Sequence, residues 1–346
     1  MYANVSIEAR SDIGANSVSG PAAGLFNSAI AAFAVVAATE VGLLDEIEKR
    51  RSVDLTGYAA AFDLHEPSLR AIVAALTHAH VLKVDGDIVS PARAFLPVLE
   101  TKGFFVWLLG GCGELLRTAG TVTHNSSRQG SFIRRDAKVI SKGCADFGSK
   151  FIDPTFDVAL AENSYSRIVD LGCGGGDRLI RALRARPHST GVGIDIAPAA
   201  IKLAREQLQA EGLADRATVI EADASDLRYR PEFADVDFAM CFLMGHDFWP
   251  RGRCVTVLRS LREVFPSIQT FAMCDAYRSN IVPSPELPIL TLGFEYVHAL
   301  MGQYLPSLDE WQEVFAASGW RPCREYELLM PFTRIFVLTP SSGGLR

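Results

Sequence analysis

Two histidines stand where side-chain chemistry is feasible. His246 opens the run His246-Asp247-Phe248-Trp249-Pro250, directly after an apolar strand candidate ending at Phe242. A histidine in a turn at the carboxyl end of a strand is placed for proton transfer or metal ligation. His298 lies in Leu292–Gly302, with Glu295 one helical turn before it, so the two share a face. Each histidine alone has an ordinary structural reading, His246 as a helix cap and His298 as a packed ring. Together they form a candidate two-histidine metal site, since imidazole suits iron, zinc and copper. A carboxylate from Glu295 or Asp247 would complete the two-His-one-carboxylate set of oxygenases. Without one, positions stay open for substrate and water. No spaced metal motif accompanies the pair.

A second constellation is the loop Asp170-Leu171-Gly172-Cys173-Gly174-Gly175-Gly176-Asp177. Its glycines let the backbone turn tightly and approach a ligand closely. A glycine loop alone is weak evidence. Asp195 ends the next strand candidate, where a carboxylate can accept both hydroxyls of a ribose. Asp223 follows the third, placed for the exocyclic amine of adenine, and Phe242 ends the fourth. A nicotinamide-binding half would space its loop G-x-G-x-x-G instead. The set resembles the class I methyltransferases, whose D-L-G-x-G-x-G loop holds the amino-acid end of S-adenosylmethionine. That resemblance implies donor contacts from Asp170, Gly172, Gly174, Asp195, Asp223 and Phe242. Asp177 is either a helix cap or a further contact, and Cys173 reads as a small filler residue.

The elements that must position these residues follow from the pattern. From residue 166 onward strands alternate with helices, which implies a parallel α/β sheet of Rossmann type. The strand candidates are 167–171, 191–196, 217–221, 237–242 and 270–275, and the clearest helix is Pro198–Glu211, with proline in its first turn. Upstream, residues 24–43, Asp54–Phe62 and Pro67–His78 read as helices. Val81–Val89 then reads as a hairpin around Asp85-Gly86. Three helices and a hairpin make a winged-helix layout. Its third helix offers only Arg70 to a DNA groove, so a dimerisation module is expected rather than a DNA reader. The expected organisation is a disordered leader over 1–23, a winged-helix-like dimerisation domain over 24–100, a helical linker lining the acceptor site over 101–165, and a donor-binding domain over 166–346.

Composition narrows the class. The 346 residues suffice for two domains, and the net charge of −6 argues against a nucleic-acid footprint. No run of about 18 uncharged apolar residues appears, so no membrane span is expected. The N-terminus carries acids and lacks the apolar core of a signal peptide. Seven scattered cysteines fit reduced thiols in the cytoplasm.

With its helical N-terminal part, the chain is similar to the two-domain O-methyltransferases of small-molecule metabolism, whose His-Asp-Trp motif supplies a general base. Here the motif reads His-Asp-Phe-Trp-Pro instead. A closer resemblance runs through M-G-H-D-F-W-P-R (244–251), E-L-P-I-L-T-L-G-F-E-Y-V-H-A-L-M-G (286–302) and Y-L-P-S-L-D-E-W (304–311). It continues at Leu64–Pro67, Trp107-Leu108, Gly113–Leu115 and Arg135-Asp136. These look like the 2-oxo acid C-methyltransferases of peptide-antibiotic and modified-amino-acid pathways. The resemblance implies a mononuclear non-haem iron held by His246 and His298. It also implies that Arg135 steers the substrate carboxylate and that Asp247 and Trp107 line the acceptor site. The family's acceptors carry aryl, branched aliphatic or guanidino tails; the expected acceptor is 5-guanidino-2-oxopentanoate first, with an aryl pyruvate such as phenylpyruvate as the alternative. A guanidinium would need a buried carboxylate, from Glu114, Asp146 or Glu295; an aryl group would need an aromatic slot, for which Phe104, Phe105 and Phe132 are candidates. The competing expectation is a metal-free O-methyltransferase with His246 as base.

Overall fold

The structure is a computed structural model and describes residues 20–280 and 287–341. Most of the expected leader lies outside the described residues. Its last residues do not: the chain is helical from Pro21, with proline in the first turn.

Two compact units are present: one reaches to Thr118 and includes Arg134–Phe147, and the other holds Ala119–Ile133 and Gly148 onward. In the first unit, helices Pro21–Glu40, Leu43–Arg50, Leu55–Ala61 and Glu66–His78 pack around Leu43, Leu44, Leu69, Val73 and Leu76. Asp54 caps Leu55–Ala61 by accepting the Gly57 amide at 3.1 Å. The expected hairpin is present as β2 (Leu82–Asp85) and β3 (Ile88–Pro91), turning through Gly86-Asp87. A short strand that the sequence pattern had not marked, β1 (Val53–Asp54), pairs with β3. Helix Phe95–Phe105 then runs into a π-helical turn, Val106–Gly111. By length and composition Pro21–Glu40 is apolar enough to cross a membrane. Its Ala34, Val35 and Ala38 belong to this unit's core.

The second unit is built on a seven-stranded sheet: β4 (Arg167–Leu171), β5 (Thr190–Asp195), β6 (Ala217–Glu221), β7 (Phe238–Phe242), β8 (Thr270–Ala276), β9 (Trp320–Glu327) and β10 (Thr333–Pro340), in the order β6-β5-β4-β7-β8-β10-β9. The first five are parallel; β10 runs antiparallel to β8 and to β9. Strand order reverses at β4, between β5 and β7, and ligands of open α/β sheets bind outside the carboxyl ends of strands at such a point. The inner parallel strands β4, β5, β7 and β8 are buried on both faces, and the apolar run Phe238–Phe242 is the clearest case; the edge strand β6 is only partly buried. Phe248, Phe265, Phe271, Trp311, Phe315 and Phe336 fill one side of the sheet.

Candidate active site

The glycine loop follows β4 and turns into helix Asp177–Ala185. Gly172 has φ +75°, and a Cβ there would lie 2.6 Å from Met244 Sδ, so the position demands glycine on two counts. The amides of Gly172 and Cys173 donate to the Ile194 carbonyl at 2.8 and 2.9 Å, which ties the loop to β5. Asp195 closes the arrangement: its Oδ2 accepts the Gly174 amide and its Oδ1 the Ala197 amide, each at 2.9 Å. Beneath the loop, Asp170 is almost fully buried. Burial pushes its carboxyl up to about 7, against the opposing pull of Arg178, while Asp195 and Asp177 add to the rise. Burial also pushes the Cys173 thiol up, as suits a packed residue.

A cleft of about 150 Å³ opens above these strand ends. Gly172, Asp195, Asp223, Met244, Asp247 and Arg253 are among its walls. Asp223 is held as a carboxylate: its Oδ1 accepts the Ser225 hydroxyl at 2.7 Å and the Ser225 amide at 2.8 Å, which depress its pKa. Phe242 lies under the Arg178 guanidinium, 4.6 Å from ring centroid to Cζ, and packs edge-on against Phe156.

His246 sits in a 3-10 turn, Gly245–Phe248, that leaves β7. Its ring and its backbone are gripped by one residue. Asp275, fully buried on β8, takes His246 Nδ1 on Oδ1 at 2.7 Å and the His246 amide on Oδ2 at 2.8 Å. Gly245 makes room for that grip, since a Cβ there would meet Asp275 Oδ2 at 2.7 Å. His298 projects from helix Thr291–Met301 and donates Nδ1–H to the Phe294 carbonyl at 2.7 Å. The two imidazoles lie edge-to-face with centroids 4.9 Å apart, and Phe294 packs against both. With each Nδ1 bonded to an oxygen acceptor, the neutral tautomer places the lone pair on Nε2. Asp247 Oδ1 is 4.0 Å from His246 Nε2, and Asp247 also walls the cleft, so cleft and histidine pair adjoin.

Each imidazole thus has an oxygen acceptor behind its Nδ1, the arrangement that orients metal-ligating histidines. Among the described residues no group of three or more His, Cys, Asp and Glu converges as a ligand set. Glu295 Oε1 accepts the Ser279 amide at 2.7 Å. Beside the pair, Tyr277, Phe294, Phe332 and Thr291 wall a small hollow, and the Thr291 hydroxyl is buried in the structure with no hydrogen-bond partner.

Two other expected residues, Trp107 and Arg135, belong to the first unit. Trp107 is buried in the π-helical turn, close against Gly143, where a Cβ would meet the Trp107 amide nitrogen at 2.7 Å. Arg135 is exposed, and its charge opposes the burial that raises the Cys112 thiol. Of the carboxylates considered for a guanidinium tail, Glu114 pairs with Arg134 at 3.2 Å, and Asp146 Oδ2 abuts Gly103. Phe104 stacks on Phe147 at 4.7 Å, and Phe132 lies under Arg128. Asp275 and Arg253 were not foreseen from the sequence.

Residues 162–319 match a methyltransferase domain family. The chain is 41% identical over 316 residues to the methyltransferase ungE' of Aspergillus campestris, covering 88% of this chain and 92% of that one. The chain is a class I S-adenosylmethionine-dependent methyltransferase. The methyltransferase is also 29% identical over 328 residues to the indolepyruvate C-methyltransferase of Streptomyces griseus, covering 91% of this chain and 94% of that one. Among solved structures it resembles PigF with SAH, with a TM-score of 0.66 at 18% identity over 97% of this chain and 100% of that one, a likeness of fold.

Proposed function

We propose that the methyltransferase transfers the donor methyl to C3 of an aryl-bearing 2-oxo acid. The observation that carries the reading is the His246–His298 pair, with each Nδ1 anchored and Asp247 linking the pair to the donor cleft. The reaction removes the C3 proton, and the resulting enolate carbon takes the methyl while the sulfonium becomes a thioether. A mononuclear iron on the Nε2 atoms of His246 and His298 would supply Lewis acidity toward the two oxygens of a bound 2-oxo acid. Asp275 holds the His246 ring in the tautomer this needs. Asp247 stands between acceptor and donor and aligns the two, and proximity supplies much of the remaining acceleration. On the donor side, Asp195 takes the ribose, Asp223 the adenine amine, and the loop Gly172–Gly174 with Asp170 the amino-acid end, above Phe242. Arg135 and Trp107 are assigned to the acceptor's carboxylate and chain.

The aryl tail is favoured over a guanidino tail. The relative named for indolepyruvate supports the same class. The product, a 3-methyl-2-oxo acid, has the functional group that transamination turns into a β-methyl amino acid, which suits a peptide natural product. Assembly as a homodimer through residues 24–100, in the cytoplasm, completes the proposal; the exposed Leu25, Phe26, Ile30 and Phe33 on the first helix support a second copy as partner.

The test uses methyl-labelled S-adenosylmethionine with phenylpyruvate, indolepyruvate and 5-guanidino-2-oxopentanoate, followed by NMR of the product and metal analysis of the protein. Label on C3 of an aryl acid, with activity lost on chelation and restored by Fe(II), is expected. Label on oxygen, or activity indifferent to chelation, overturns the reading.

A further inference from the structure

The adenine end of the donor cleft contains a hydrogen-bond chain that the methyl-transfer chemistry leaves unused. Arg253, in helix Arg251–Val264, donates through Nη2 to Ser225 Oγ at 2.7 Å and through Nη1 to the Asp247 carbonyl at 3.2 Å. Ser225 Oγ in turn donates to Asp223 Oδ1 at 2.7 Å, beside the Ser225 amide at 2.8 Å on the same oxygen. The direction of this chain is forced. A guanidinium has donors and no acceptor. The serine oxygen must therefore accept from Arg253, and its single proton is turned onto Asp223. Asp223 Oδ1 is thus occupied twice, and the carboxylate is pinned in its ionised form.

We infer that Arg253 and Ser225 are positioning residues that make Asp223 an obligate hydrogen-bond acceptor, and so select a 6-amino purine over a 6-oxo purine at the donor site. Asp223 Oδ2 is the remaining acceptor oxygen. A 6-amino group donates to it, whereas a 6-oxo group sets oxygen against oxygen. Without Arg253 the serine hydroxyl is free to rotate. Asp223 then loses the hydroxyl that fixes Oδ1, so its carboxylate is free to turn away from the base. The inference rests on the proposed contact between Asp223 and adenine.

The test measures dissociation constants for S-adenosylhomocysteine and S-inosylhomocysteine by calorimetry, between pH 5 and pH 8. The full-length wild type, Arg253→Gln, Arg253→Lys, Ser225→Ala and Asp223→Asn are compared. The wild type is expected to prefer the adenosyl compound strongly. Arg253→Gln and Ser225→Ala are each expected to narrow that preference about tenfold, as loss of one hydrogen bond to a charged group implies. The narrowing should be nearly uniform over this range, since an aspartate at its ordinary pKa of 3.8 is still ionised at pH 5. Arg253→Lys, which keeps a cationic donor, is expected to restore part of it. A purely structural role would weaken both ligands equally and leave their ratio unchanged, and that result overturns the inference. The premise fails differently: the wild type would then show no preference, or Asp223→Asn would keep the wild-type ratio.

Discussion

Replacing Asp275 by asparagine tests the site at its most constrained point. The carboxylate receives three donors: His246 Nδ1 and the Ala276 amide on Oδ1, at 2.7 and 2.8 Å, and the His246 amide on Oδ2 at 2.8 Å. Asparagine keeps the shape but turns one oxygen into a donor. If the amide nitrogen takes the Oδ2 position, it faces the His246 backbone N–H. If it takes the Oδ1 position, it faces the Ala276 amide and also the imidazole, which is relieved only by moving the ring proton to Nε2. The first arrangement strains the turn; the second removes the lone pair from the nitrogen that faces Asp247. Each leaves at least one donor conflict in a group with 0% exposure, at a cost of about 1–3 kcal/mol. For a unit of this size that is a fall in Tm of roughly 2–10 °C. Because the ring is also misdirected, kcat is expected to fall about 10–100-fold, as for loss of partners behind metal-ligating histidines. S-adenosylhomocysteine affinity should stay within about threefold, since Asp275 is not part of the donor cleft wall. Differential scanning calorimetry, labelled methyl transfer and titration calorimetry read the three quantities. A variant that loses Tm but keeps kcat near the wild-type value would refute the claim that Asp275 orients His246 for chemistry.

Three further outcomes follow from the same geometry. Under the proposed function, His298→Ala should abolish iron binding and lower C-methylation at least about 100-fold; a metal-free O-methyltransferase using His246 as base would be nearly indifferent to the change, so metal content and turnover together decide. Asp170 has a folded-state pKa raised to about 7 from 3.8, so its contribution to stability is present below the unfolded pKa and is lost as pH rises through 7. Urea titrations of the donor-free protein should show Asp170→Asn removing a pH-dependent loss of up to about 4 kcal/mol between pH 4 and 8. Gly302 ends the His298 helix at φ +76°, and a Cβ there would lie 2.5 Å from an Arg128 guanidinium nitrogen. Arg128 donates to the Leu300 carbonyl at 2.8 Å, so Gly302→Ala should cost about 1–2 kcal/mol in urea unfolding from backbone strain alone and loosen this latch as well.

How far the site could be read in advance depended on whether a feature was encoded locally. The hairpin at Asp85-Gly86, the N-cap at Asp54 and the parallel strands of the donor half are local signals: a turn dipeptide, a short polar side chain before a helix, an apolar run. They appear within a few residues of where the pattern placed them. The edge strand Trp320–Glu327 is mostly polar and exposed, so its pairing comes from β10 beside it rather than from any alternation of its own. Asp275 shows the limit more sharply. In the sequence it is one acid at the end of a strand, well removed from His246. The parallel register that sets Phe242 opposite Cys274, with Leu243 donating to the Cys274 carbonyl at 2.8 Å, swings the Gly245–His246 turn over it. Gly245 is then explained from the other side, because any side chain there would collide with the carboxylate. The Gly-His-Asp run and the buried acid are thus one device written in two places. The missing Cβ lets the carboxylate reach the His246 amide, that reach fixes the ring, and the fixed ring is what sets Nε2 toward Asp247 and the donor cleft.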